Sequence, residues 1–112
     1  VTFLHSFNYG SIDLINKDVI IADWHYRRAT NTHDYFIEKG FRVLTCPHNN
    51  KEVAKTQYDQ YKNHKSENYL GMVQTIWLTN QEFIDFYHGK IKIESAKKGS
   101  LETYKELVSL WK

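Results

Sequence analysis

The sequence predicts an α/β fold made of parallel βαβαβ units, on three observations. Three short runs rich in β-branched and aromatic residues, Val19 to Trp24, Phe41 to Cys46 and Met72 to Trp77, have the length and composition of strands. None alternates cleanly between apolar and polar residues, the pattern of strands covered on both faces, as in parallel sheets. The runs begin at positions 19, 41 and 72, and segments of helical period lie between them, which leaves room for a crossover helix each time.

After the first run a short helix is expected over His33 to Lys39, capped by Thr32. Gly40 stops it by taking the left-handed conformation after the last turn, and the second strand follows at once. Beyond that strand, Val53, Ala54, Gln57, Tyr58 and Tyr61 form one stripe of an amphipathic helix, with Asn49 or Asn50 able to accept from its unpaired first-turn amides. Thr79 and Glu82 have capping-box spacing ahead of Phe83, Ile84 and Tyr87, which predicts a helix of about two turns. Leu101, Tyr104, Leu107, Val108 and Trp111, behind Ser100, give the clearest helical period in the chain. No linker, repeat or low-complexity tract interrupts the 112 residues, so 1–112 read as a single unit.

Composition narrows the function. Apolar residues make up 41% and charged residues 25%, which is globular, and fifteen basic against thirteen acidic residues leave a scattered charge of +2. Dedicated nucleic-acid binding is therefore not expected. The longest apolar stretches, such as Val19-Ile20-Ile21-Ala22, are too short to cross a bilayer, so no membrane insertion is expected. The lone cysteine, Cys46, allows neither an internal disulfide nor a multi-cysteine zinc site, and it reads as a structural thiol. Val1 stands where an initiating methionine would, so the sequence is expected to begin at a processing site or a cut in a longer chain.

Right-handed crossovers place the three loops after the strands on one edge, where ligands of parallel α/β folds bind. These loops are Asp23-Trp24-His25-Tyr26, Cys46-Pro47-His48-Asn49 and Trp77-Leu78-Thr79-Asn80. Trp24, His25 and Tyr26 place three rings with polar tips where a loop is ordinarily hydrophilic, and Trp77 ends another strand on the same edge. Indole and phenol faces suit the apolar faces of sugar rings, while the polar tips stay free for hydroxyls. The bland reading is that the two indoles cap the sheet core. Of the six histidines, His5, His25, His33, His48, His64 and His88, only His25 and His48 lie on this edge, and His64 and His88 read as solvated. A metal site from Asp23, His25, Cys46 and His48 lacks supporting spacing, so no metal and no cofactor is expected. Asp13 and Asp18 read as loop or cap residues, and Asp34 and Glu82 fall within helices. No carboxylate pair, serine elbow or phosphate loop suggests itself, which leaves no catalytic residue to name in this chain.

With those residues in hand, Val19-Ile20-Ile21-Ala22-Asp23-Trp24-His25-Tyr26, then Lys39-Gly40-Phe41-Arg42-Val43-Leu44-Thr45-Cys46-Pro47, then Gly71-Met72-Val73-Gln74-Thr75-Ile76-Trp77 together resemble the late strands of a glycoside hydrolase barrel. The resemblance is to family 20 β-N-acetylhexosaminidases and their bacterial relatives, over about residues 15 to 90. It implies the C-terminal part of a (β/α)8 TIM barrel, covering its sixth, seventh and eighth strands. It further implies a pocket for a terminal sugar with tryptophan walls, onto which Trp24 and Trp77 map, and a catalytic Asp-Glu pair on a strand upstream of Val1. Where the family tends to carry Glu two residues after the last tryptophan, this chain has Thr79. A periplasmic or secreted location would follow from the same resemblance.

The expected ligand is thus a carbohydrate held by Trp24, His25, Tyr26, His48 and Trp77. Three strands alone leave open sheet edges, so the rest of the parent barrel, or a second copy in a homodimer, is the expected protein partner. The alternatives are a non-catalytic carbohydrate-binding or protein-interaction module, and a barrel metallohydrolase piece using His25, His48 and Asp23.

Overall fold

The computed structural model describes residues 10–92 and 95–112, and the side chains of 97–112 in its last helix. After a short 3-10 turn at Ser11–Leu14, the order is β1 (Ile20–Trp24), α1 (Thr32–Glu38), β2 (Arg42–Cys46), α2 (Lys51–Asn63), β3 (Tyr69–Met72), α3 (Asn80–Tyr87) and α4 (Ser95–Leu110). The strands form one three-stranded sheet in the order β1-β2-β3, with both neighbouring pairs parallel. The chain is therefore mixed α/β, as the order of its runs predicts.

Both crossover helices lie on one face. The ring of Tyr69 on β3 meets His33 of α1 at 4.8 Å and Tyr61 of α2 at 5.3 Å between centroids, so the two helices share the side to which Tyr69 points. Val43, Thr45 and Tyr69 are buried under them, Phe41, Val53 and Ala54 beside them, and Cys46 and Leu107 are buried as well. On the opposite face Ile20, Ala22 and Trp24 of β1 are exposed, as is Leu70 of β3. The runs that read as strands covered on both faces thus leave β1 open on one face among the described residues, while Cys46 of β2, the register partner of Trp24, is buried.

Local signals set most boundaries. Asn50 caps α2 by accepting from the amides of Glu52 and Val53, and Thr79 and Glu82 close a reciprocal capping box on α3. Gly40 takes φ +94° between α1 and β2, the left-handed geometry that suits a residue without Cβ. Thr32 starts α1 but is its first residue; Asn31 takes the cap position without a side-chain bond.

The third strand and the start of the last helix depart furthest from the sequence expectation, the strand sharing only Met72 with the expected run Met72 to Trp77. The third strand begins at Tyr69, because pairing opens where the Val43 amide donates to Asn68 O at 2.8 Å, with an irregularity between Val43 and Leu44. Beyond Met72 the chain still donates from Val73 to Thr45 O and from Thr75 to Pro47 O, but Pro47 has no N–H to return. The extended segment to Trp77 is therefore held from one side only. The last helix starts at Ser95, well before Leu101, because Gly99 lets it approach the loop after β2: a Cβ there would come within 2.1 Å of Asn49 O. From that point α4 packs along α2, where Tyr58 donates to Leu110 O at 2.8 Å and Trp111 meets Tyr58 and Tyr61.

Candidate binding site

Strand parity decides which loop side chains face which way. In β1 the even positions, Ile20, Ala22 and Trp24, are exposed, whereas Asp23 is buried on the helix-covered side. Continuing that alternation past the strand end puts Trp24 and Tyr26 together. Their rings stack at 6.4 Å and 18° between planes, and Tyr26 meets the His48 ring at 5.1 Å. Trp24 remains 57% exposed, so this row of three rings presents an indole to solvent from the loops after β1 and β2.

Hydrogen bonds fix the row from behind. His48 Nδ1 lies 2.8 Å from Thr75 O. A carbonyl only accepts, so the proton sits on Nδ1 and the neutral ring keeps a lone pair on Nε2. Thr75 Oγ1 lies 2.7 Å from the Tyr26 hydroxyl and 3.0 Å from Pro47 O. The Thr75 hydroxyl is the donor in both contacts, its one proton shared between the Tyr26 oxygen and the proline carbonyl. Gln74 then donates from one amide nitrogen to His48 O and to Ser100 O, both at 2.9 Å, tying this loop to α4. Neither Gln74 nor Thr75 stood out in the sequence, since their contacts reach 26 or more residues away.

His25 and Trp77 behave differently from that row. His25 Nε2 is 2.9 Å from Asp23 Oδ1 and 2.7 Å from Thr32 Oγ1, while Thr32 donates to Asp23 Oδ2 at 2.5 Å. The imidazole thus links the end of β1 to the start of α1, and Gln57 donates to its backbone carbonyl. Trp77 is 60% exposed, and no ring contact joins it to Trp24, Tyr26 or His48 among the described residues. The edge therefore brings together Trp24, Tyr26 and His48, sets His25 in the wall, and carries Trp77 on the third loop.

The conceivable metal set at the edge divides. His25 turns to Asp23, His48 to Tyr26 and Thr75, and Cys46 is buried opposite Trp24 in the sheet register. Burial pushes the Cys46 thiol up, with the Asp23 charge adding to it, which suits a structural thiol. Among the described residues, three donors gather elsewhere, at His33, Asp34 and His64. Burial pushes the His33 ring below the usual histidine range. His64, expected to be solvated, has only 20% of its side chain exposed, whereas His88 is exposed as expected. His5 lies outside the described residues. No described helix is long and apolar enough to cross a membrane. Neither a model of any known protein family nor any curated protein matches this chain.

Proposed function

We propose that this chain supplies the sugar-gripping rim of a glycoside hydrolase barrel, as its C-terminal strands, similar to those of family 20 β-N-acetylhexosaminidases. The reading rests on the exposed Trp24 indole, stacked on Tyr26 and backed by His48, at the C-terminal edge of a parallel sheet. An indole face packs against the axial hydrogens of a pyranose, and a preset His48 lone pair and nearby hydroxyls serve the polar rim of the sugar. The sequential strand order and the helices confined to one face are what a slice of a (β/α)8 barrel would have. Its exposed face would then be the barrel interior, and its open edges would pair with neighbouring strands or with a second copy.

In this reading the proton donor and its partner carboxylate belong to an upstream strand, so the chain binds sugar without turning it over. Titration with N-acetylglucosamine, followed by tryptophan fluorescence, should give a saturable change that Trp24→Ala abolishes. Hydrolysis of a chromogenic hexosaminide by the pure chain would overturn the division of labour. Absence of any fluorescence response, with Trp24 and the fold intact, would overturn the sugar site itself.

A further inference from the structure

We propose that His33, Asp34 and His64 form a binding site for a divalent transition-metal ion of the zinc class, clamping the start of α1 to the end of α2. His33 is 2% exposed and its ring is held between Tyr69 and His64, yet neither ring nitrogen makes a hydrogen bond. Its Nε2 stops 3.7 Å from Asp34 Oδ1, and its Nδ1 is buried without a partner. A sealed imidazole with nothing to bond is costly and calls for a reason. The hydrogen bond between His64 Nε2 and Asp34 Oδ1, at 2.6 Å, accounts for the other two residues and leaves His33 unexplained.

A metal ion held by Asp34 and the two Nε2 atoms would give His33 Nε2 the partner it lacks, while His33 Nδ1 stays buried without one. The donor atoms of the three residues lie within 4.8 Å of one another. Ligands at zinc bond lengths of about 2.0–2.2 Å sit about 3.4 Å apart around a tetrahedral ion, between the 2.6 and 3.7 Å separations measured from Asp34 Oδ1. Two imidazoles and one carboxylate are a donor set that suits zinc and its neighbours rather than calcium or magnesium. A cavity of about 400 Å³, lined by Tyr61, His64 and Tyr69, opens beside the His64 ligand.

Proton placement gives the proposal a signature. The Ser66 amide donates to His64 Nδ1 at 3.1 Å, which puts the His64 proton on Nε2, the atom facing Asp34. Coordination through Nε2 moves that proton to Nδ1 and opens the Ser66 contact, with no net change in the charge of the ring. Metal binding is therefore read at a backbone amide two residues beyond the ligand.

The test takes the full natural chain stripped of metal by a chelator and titrated with Zn²⁺ and with Co²⁺. Expected are one ion per chain, the visible cobalt bands of a four- or five-coordinate site, a raised melting temperature and a shifted Ser66 amide resonance. Asp34→Asn and His64→Ala should each weaken binding by at least about tenfold, while His88→Ala, at an exposed histidine, should not. His33→Leu should also abolish binding; if it fails to fold, His64→Ala, just beyond the end of α2, decides the matter. No stoichiometric binding, or binding that survives both Asp34→Asn and His64→Ala, overturns the proposal.

Discussion

On the face covered by α1 and α2, Val43 and Thr45 are sealed, Tyr69 is enclosed by His33, Tyr61 and His64, and its hydroxyl lies 3.0 Å from Thr45 Oγ1. On the opposite face Ile20, Ala22 and Trp24 stand exposed on the same short strand. The difference teaches that cohesion of this chain comes mainly from one side of the sheet, while on the other β1 leaves apolar side chains in solvent. Burial of apolar area is the main stabilising term, so substitutions of similar chemistry should have unequal effects on the two faces.

The largest contrast is expected from Phe41→Ala on the sealed side, which removes a fully buried ring and should cost about 3–5 kcal/mol in denaturant unfolding. A loss under 1 kcal/mol would show that this face is not the core. Next comes Gly99→Ala. Alanine favours a helix over glycine by about 1 kcal/mol, but the added Cβ collides with the Asn49 carbonyl, so a net destabilisation of about 1–3 kcal/mol is expected. Thr79→Ala removes the α3 cap and should cost about 1 kcal/mol, seen as fraying of the first turn by amide exchange. Smallest is Ile20→Ala on the open face, under about 1 kcal/mol for the chain by itself. The same substitution should cost about 2–5 kcal/mol where further strands bury that face, and equal values in both settings would remove the argument for a covering partner.

Local chemistry was the legible part of this fold. Asn50, Gly40 and the Thr79–Glu82 pair act within a few residues of themselves, so their roles could be read directly. The start of β3 could not, because it depends on Val43 pairing with Asn68, and the start of α4 could not, because only the Asn49 carbonyl explains a glycine inside a helix. The candidate edge divides in the same way. Trp24 and Tyr26 share a side by strand parity, a period visible in the sequence. The anchoring of His48 by Thr75 spans 27 residues, and the meeting of His64 with Asp34 spans 30, so neither leaves a local trace. Apolar content marked the first two strands to within a residue, met the third only at Met72, and did not say which faces the crossover helices would cover.

The shared amide of Gln74 makes the β2 loop and the last helix mechanically one piece. Ser100 and His48 hang from a single nitrogen, so a small rotation of α4 is delivered to the ring row as a displacement rather than absorbed in a slack loop. If the ring row holds sugar as proposed, Leu107→Ala on α4 should then surface as faster sugar release.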